Sequence, residues 1–229
     1  MNEYSPIINT LLDQGVSGDT IILLLLFPVV VTIVVILRQF VGIKAFGIYT
    51  PSIITLAFVF IARERWFDIK YAVTIYVIVL FVGMVMRYVL KRFRLLYLPR
   101  VAINLSVVSF SVLVTLAVAG YFDRTGFAAA PIFPILVIIT LVEKFVTVQI
   151  EKGNRTAIIL AIETLFIALI GYTVLSPTTP VGTYITTFTL THPFIVLLII
   201  PLINLFMGKW TGLRLSEYYR FRDVIKKIQ

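Results

Sequence analysis

Cysteine is absent and histidine occurs once, as His192. Without a thiol there is no disulfide framework, no thiolate metal site and no cysteine nucleophile, and a single imidazole excludes any site that needs two. The patterns HExxH, GxSxG and GxxxxGKS do not occur, so the common hydrolase and nucleotide-binding signatures have no foothold. Charge is scarce too: 14% of the 229 residues carry it while 60% are hydrophobic, against about one quarter charged in a soluble domain. Mean hydropathy is +1.03. These shortages exclude soluble enzyme chemistry and define an integral membrane protein of the all-α class, for which neither a metal nor a cofactor is expected.

The formal charge is +9, from 20 Lys and Arg against 11 Asp and Glu. Nucleic acid would need these cations on one face. They fall instead in short clusters between apolar runs, so no nucleic-acid partner is expected and the lipid bilayer is the first partner. Met1 to Thr20 contains Glu3, Asp13 and Asp19 but no Lys or Arg, which reads as an exported tail over 1–19 rather than a cleavable signal. A hydrocarbon core of ~30 Å needs about 20 apolar residues per helix. Seven segments meet or approach this, near 20–38, 45–62, 70–90, 100–122, 129–148, 156–175 and 188–208, giving a seven-helix domain over 20–208 and a basic tail over 209–229.

Sorting the cations by connection tests that count. Arg38 and Lys44 follow the first span; Arg87, Lys91, Arg92, Arg94 and Arg100 surround the third connection; Lys152 and Arg155 follow the fifth span; and Lys209, Arg214, Arg220, Arg222, Lys226 and Lys227 lie in the tail. The other side receives only Arg63, Arg65, Lys70 and Arg124. The positive-inside rule then puts the N-terminus outside and the C-terminus in the cytoplasm. Of the outer connections, ARERWFDIK suits an interfacial turn, and the uncharged SPTTPVGTYITTFTLTHP is expected to be the longest ordered loop. The tail GLRLSEYYRFRDVIKK interleaves apolar and basic residues as an interfacial amphipathic helix would; the plainer alternative is a charged tail that only fixes topology.

GIKAFGIYTPSIITLAF, residues 42–58, carries Gly42, Gly47 and Pro51 within an apolar run. Proline near a helix start costs little, because the first turn has no acceptor to lose, and glycine permits close helix approach. The sharper alternative is a broken or re-entrant segment whose unpaired backbone lines a polar cavity. Pro51 has a counterpart in Pro134 of IFPILVIITLV, each followed by a short charged turn and another span. The match suggests two inverted three-span units plus a seventh helix, an arrangement that can form a site near the membrane midplane. Any two proline-bearing apolar segments also look somewhat alike.

Charges within spans cost about 2.5–3.5 kcal/mol each on insertion scales, so each needs a partner or a purpose. Glu163 is the deepest, eight residues beyond Arg155 and hence ~12 Å along its helix. Shared helix ends make two ion pairs feasible, Arg87 with Glu163 and Arg100 with Glu143, with Asn104 one turn above Arg100. They serve equally well as structural staples. The candidate polar site therefore comprises Gly42, Lys44, Gly47, Thr50, Pro51, Pro134 and Glu163. His192, before Pro193, suits a capping or loop role, and Asn204, near Pro201, a hydrogen bond across helices. Gly83, Gly171 and Gly208 would permit a homo-oligomer.

The stretches LRQFVGIKAFGIYTPSIITLAF, LPRVAINL, FPILVIITLVEKF and GLRLSEYYRFR resemble the bacterial family of seven-helix membrane domains commonly fused to an inactive transglutaminase-like domain. The likeness spans nearly all of the chain. More distantly, the G-I-x-x-x-G-x-x-x-P pattern and RLLYLPRVAINL are similar to the small membrane subunit of poly-γ-glutamate capsule synthases, although the glycine usual after the proline is replaced by Ser52 and Ile135. The first resemblance implies a setting beside cytoplasmic ATP-grasp ligases in a peptide-ligation or polyamino-acid system, and carries over no catalytic residues. No transglutaminase-like domain lies within these 229 residues.

Two functions follow from these observations. A non-catalytic membrane subunit would dock an ATP-grasp ligase on its basic side, with Arg92, Arg94, Arg214, Arg220 and Arg222 as docking residues, and help its product outward. A secondary transporter or channel would use the inverted repeat and Glu163. An intramembrane enzyme is the weakest candidate, because no nucleophile and base, or paired carboxylates, can be assembled.

Overall fold

The computed structural model describes residues 5–62, 68–93, 95–121 and 132–209. Within them the chain forms nine α-helices and no strands: α1 (Pro6–Asp13), α2 (Gly18–Ile36), α3 (Tyr49–Ile61), α4 (Ile69–Leu90), α5 (Tyr97–Tyr121), α6 (Ile132–Glu151), α7 (Asn154–Leu175), α8 (Pro180–Thr191) and α9 (Pro193–Gly208). Helices dominate because lipid offers the backbone no partner, so each N–H and C=O must be paired within its own segment. Hydroxyls follow the same logic. Thr32, Ser52, Thr55, Ser111, Thr115, Thr164 and Thr189 each donate to the carbonyl four residues back, at 2.7–2.9 Å, which lets polar side chains sit in apolar helices.

Helices α3 and α6 form the centre. The middle helix α3 packs on α2, α4, α6 and α7, and α6 packs on α3, α4, α5 and α7. The neighbour relations repeat between the unit α2–α3–α4 and the unit α5–α6–α7. Helix α3 meets α7 as α6 meets α4, α2 meets α3 as α5 meets α6, and α3 meets α4 as α6 meets α7. Exchange of the two units preserves the packing, as an inverted three-helix repeat requires. Glycine makes the closest approaches: a Cβ on Gly171 of α7 would lie 2.6 Å from Thr55 Cγ2 of α3, and one on Gly83 of α4 would lie 2.9 Å from a Val142 methyl of α6. Both glycines are thus occupied in packing within the chain. Of the three that suggested a homo-oligomer, only Gly208 has open space where a side chain would go.

Between these contacts the interior is filled by large side chains. Phe58, Ile75, Tyr76, Ile138, Phe145 and Tyr172 are fully buried. Tyr76 donates to the Ala161 carbonyl at 2.8 Å and meets Phe58 edge to face with ring centroids 6.1 Å apart, so its hydroxyl is satisfied while its ring packs. Helix α9 lies on α2, and Asn204 bridges them by donating to Thr32 Oγ1 at 2.8 Å and to the Ile200 carbonyl at 3.0 Å. This is the interhelical amide bond expected from the sequence.

Three boundaries differ from expectation. The second span, read as 45–62, is a 13-residue helix of about 20 Å, because residues 42–48 do not join it. The stretch expected to be the longest outer loop is mostly α8, started by Thr179, whose hydroxyl caps Gly182 N–H at 3.1 Å, with Pro180 in its first turn. The seventh span, read as 188–208, turns by 111° between α8 and α9, since Pro193 cannot continue the preceding helix. His192 sits at that turn, its ring 5.2 Å from Phe188 and its Nδ1 2.8 Å from Thr191 Oγ1. The N-terminal tail also holds structure: Ile8 of α1 packs with Ile21 of α2 and Leu190 of α8. The turn at 63–67, Arg94 and the tail beyond Lys209, with Arg214, Arg220 and Arg222, lie outside the described residues.

Candidate polar site at the basic end

One end of the bundle gathers the close of α2, α4, α6 and α9 with the start of α3, α5 and α7. Gln39, just beyond α2, donates to the Met207 carbonyl at 2.6 Å. Arg87 donates to Asn154 Oδ1 at 3.3 Å, Tyr97 and Thr147 hydroxyls lie 3.0 Å apart, and Phe46 meets Phe145 edge to face at 6.4 Å. Among the described residues this end carries Arg38, Lys44, Arg87, Lys91, Arg92, Arg100, Lys152, Arg155 and Lys209, and the opposite end carries Lys70.

The candidate site is built on the segment that joins α2 to α3. Helix α2 loosens into a π-turn over Leu37–Val41, closed by a bond from Gly42 N–H to the Leu37 carbonyl at 3.2 Å. Gly42, at φ 86°, then reverses the chain, and Gly47, at φ 73°, makes a second turn in which its N–H reaches the Ala45 carbonyl at 2.8 Å. Side chains are disfavoured at such φ values, which explains glycine at both places. Between them Phe46 is buried, and its N–H donates to Thr164 Oγ1 of α7 at 3.2 Å. That bond satisfies a backbone donor held outside any helix, the condition for irregular backbone at depth. Thr164 in turn donates to the Leu160 carbonyl at 2.7 Å.

Beside Thr164, the Glu163 Oε2 atom is buried without a hydrogen-bond partner among the described residues, and the Lys44 ammonium contributes an opposite charge to its surroundings. The structure therefore brings together Gly42, Lys44, Gly47 and Glu163 from the expected set, and adds Phe46 and Thr164. A buried carboxyl oxygen without a hydrogen-bond partner, in the field of an ammonium, can accept a proton or hold a cationic or hydrogen-bonding group. Thr50 is half-buried and Pro51 buried in the first turn of α3.

Pro134 belongs elsewhere. It opens α6 beside an apolar crevice of about 350 Å³ that includes Leu24, Phe27, Leu56, Phe60 and Phe133. Because Phe46 meets Phe145, far along α6, while Phe133 and Pro134 share a crevice with Phe60 at the close of α3, the two helices run antiparallel. Pro51 and Pro134 are mirrored helix starts at opposite ends of that pair, each third in its helix where an N–H has no acceptor to lose. They do not converge.

The two expected ion pairs are also rearranged. Arg87 reaches Asn154 instead of Glu163. Arg100 donates to the Leu95 carbonyl at 2.9 Å, with its Nε buried and unpartnered, while Glu143 is exposed on α6. Asn104 is buried and donates weakly to the Gly83 carbonyl at 3.4 Å, leaving its Oδ1 without a partner. Gln149 and Asn154, which the sequence reading passed over, flank the turn after α6. Two amides in QIEKGN beside a cation-rich end were the available signal.

A family described as seven transmembrane helices usually fused to an inactive transglutaminase matches residues 11–225. The chain belongs to that family. Among the described residues its seven helices correspond to five that are long and apolar enough to cross a membrane, to the bent pair α8–α9, and to the short apolar α3. The multi-pass membrane domain of this seven-helix family is therefore what the fold and the sequence both describe. No curated protein and no solved structure matches the chain.

Proposed function

We propose that this seven-helix protein is a non-catalytic subunit of a peptide-ligase or polyamino-acid synthesis and export system, set in a bacterial inner membrane with the basic end in the cytoplasm. There it docks an ATP-grasp ligase and aids passage of the product. The observation that supports this reading most is the gathering of cations at one end, with Arg87 and Arg100 on α4 and α5, Lys91 and Arg92 between them, and Lys152 and Arg155 beside them. Such a field attracts an acidic partner or a polyanionic product. The resemblance to ligase-associated membrane domains supplies the class of partner, with Arg94, Arg214, Arg220 and Arg222 as further docking residues. The filled interior around Phe58, Tyr76 and Tyr172 suits a scaffold better than an open pore.

Co-purification from the native membrane tests the proposal. Recovery with an ATP-grasp ligase at low ionic strength, released by salt, is the expected outcome, because exposed charges are screened as salt rises. Recovery alone, together with solute uptake in liposomes, would reject it. A transporter is the second reading, favoured by Lys44 and the buried Glu163 Oε2 atom, which has no hydrogen-bond partner among the described residues. For it, Glu163→Gln should abolish uptake while thermal stability holds, and uptake that survives the substitution removes Glu163 from any transport role.

A further inference from the structure

Beyond that reading, we propose that the cleft between the close of α4, the close of α6 and the start of α7 is a site for an acidic phospholipid whose headgroup carries hydroxyls, of the phosphatidylglycerol type. The cleft measures about 360 Å³, and its wall includes Val85, Arg87, Tyr88, Lys91, Gln149 and Asn154. Arg87, in the last turn of α4, and Lys91, which caps it, stand one turn apart, and among the described residues no carboxylate lines the cleft with them. Among the described residues the Arg87 side chain meets the neutral Asn154 amide at 3.3 Å, and Arg100 adds a like charge to its surroundings.

Two further observations point to a ligand. Gln149 is 2% exposed, yet its Oε1 has no hydrogen-bond partner among the described residues; a buried carbonyl left unpaired is costly unless something donates to it. Helix α7 starts at the cleft behind Gly153, with no side-chain cap and no acidic residue in its first turn. Its free N–H groups and positive dipole end are open to an anion. A phosphodiester offers one negative charge and two acceptor oxygens to Arg87, Lys91 and those N–H groups, and a headgroup hydroxyl offers the donor that Gln149 lacks. The rest of the lipid has its own surface. Phe81, Val85 and Tyr88 are 63%, 46% and 81% exposed and follow one another at helical spacing on α4, an apolar stripe leading away from the cations along which an acyl chain can lie. Basic pockets between membrane helices take acidic headgroups by this combination of charge and apolar wall.

Native mass spectrometry of the full chain in detergent, titrated with phosphatidylglycerol, phosphatidylmethanol and phosphatidylcholine, tests the assignment. Phosphatidylglycerol should be retained in preference to phosphatidylcholine. Arg87→Gln and Lys91→Gln should each weaken its retention about fivefold, and Lys209→Gln, an equal loss of charge on α9, should leave it unchanged. Gln149→Leu should erase the preference for phosphatidylglycerol over phosphatidylmethanol, which lacks hydroxyls, while both still exceed phosphatidylcholine. Lys91 is exposed, so Lys91→Gln keeps the test decisive if Arg87→Gln fails to fold. Retention that falls equally in Lys91→Gln and Lys209→Gln, or no preference over phosphatidylcholine, overturns the site. Inorganic phosphate that displaces the lipid completely and by itself raises the melting temperature as much would assign the cleft to a soluble phosphate and overturn the lipid.

Discussion

The units α2–α3–α4 and α5–α6–α7 share one pattern of neighbours but meet their surroundings differently. In the first, α2 is covered by α8 and α9, and the middle helix α3 has 13 residues behind an irregular approach. In the second, α5 keeps an open face with Phe110 67% and Leu113 62% exposed, and the middle helix α6 runs for 20 residues without interruption. The same exchange-related contacts thus support two local outcomes. Where a third element covers the outer helix, that helix carries a buried polar pair with its cover, Thr32 with Asn204. Where only lipid can cover it, the outward face is mostly apolar, and its exposed Ser106 turns its hydroxyl back onto the Ala102 carbonyl at 2.9 Å. Symmetry of packing fixes which helices touch; what lies outside the pair fixes how much irregular or polar chain each can hold.

The largest effect should separate the two matched glycine contacts. At Gly171 a methyl group would press on Thr55, whose hydroxyl is tied to the Pro51 carbonyl at 2.8 Å, whereas at Gly83 it would meet a Val142 methyl at the edge of its side chain. Gly171→Ala should cost about 3 kcal/mol and Gly83→Ala about 1 kcal/mol by thermal unfolding in detergent. Thr55→Ser should restore much of the first loss, and equal costs at the two glycines would break the comparison. Gly47→Ala follows. Nothing lies within 4 Å of its added methyl, so the change isolates backbone strain at positive φ, about 1–2 kcal/mol. An unchanged melting temperature there would mean that the turn before α3 is not held at that conformation.

The bond joining α2 to its cover comes next. Asn204→Ala should cost about 1 kcal/mol, in the range of measured hydrogen bonds between membrane helices, and with Thr32→Val also present the losses should be less than additive. Smallest is Phe110→Leu on the open face of α5, expected within about 0.5 kcal/mol by the same melting assay. A larger loss would show that this face is covered by protein after all.

Much of the fold was legible because apolar length and loop charge are direct records of a bilayer. Those cations named for one side that lie among the described residues share one end, and Asn204 makes its interhelical bond. Harder to read was where a helix stops inside an apolar run. Gly47 broke the second span, and Pro193 turned the seventh, but hydropathy treats both stretches as continuous. Pro51 and Pro134 were legible as a pair, while their separation depends on the antiparallel packing of α3 and α6, which no single-chain pattern reveals. The polar site was half visible. Glu163 and Lys44 announce themselves as charges in apolar sequence; Thr164 and Gln149 matter only for what faces them, since an apolar-looking helix can turn a neutral polar group toward a distant backbone amide or an open cleft.

The shortness of two helices has different consequences for the surrounding bilayer. Helix α3, about 20 Å long, is walled by protein on nearly every side and so exerts no demand on lipid thickness. Helix α9 has 16 residues, or about 24 Å against a hydrocarbon core of ~30 Å, and it turns Leu198, Leu202, Leu205 and Phe206 outward at 58–75% exposure. Along that edge the membrane must thin by several ångströms or accept a flanking polar surface, at a fraction of a kcal/mol per ångström. A chain with one hidden and one bare short helix is thereby thickness-sensitive on one flank only, and bilayers of shorter acyl chains should stabilise it by relieving the strain beside α9.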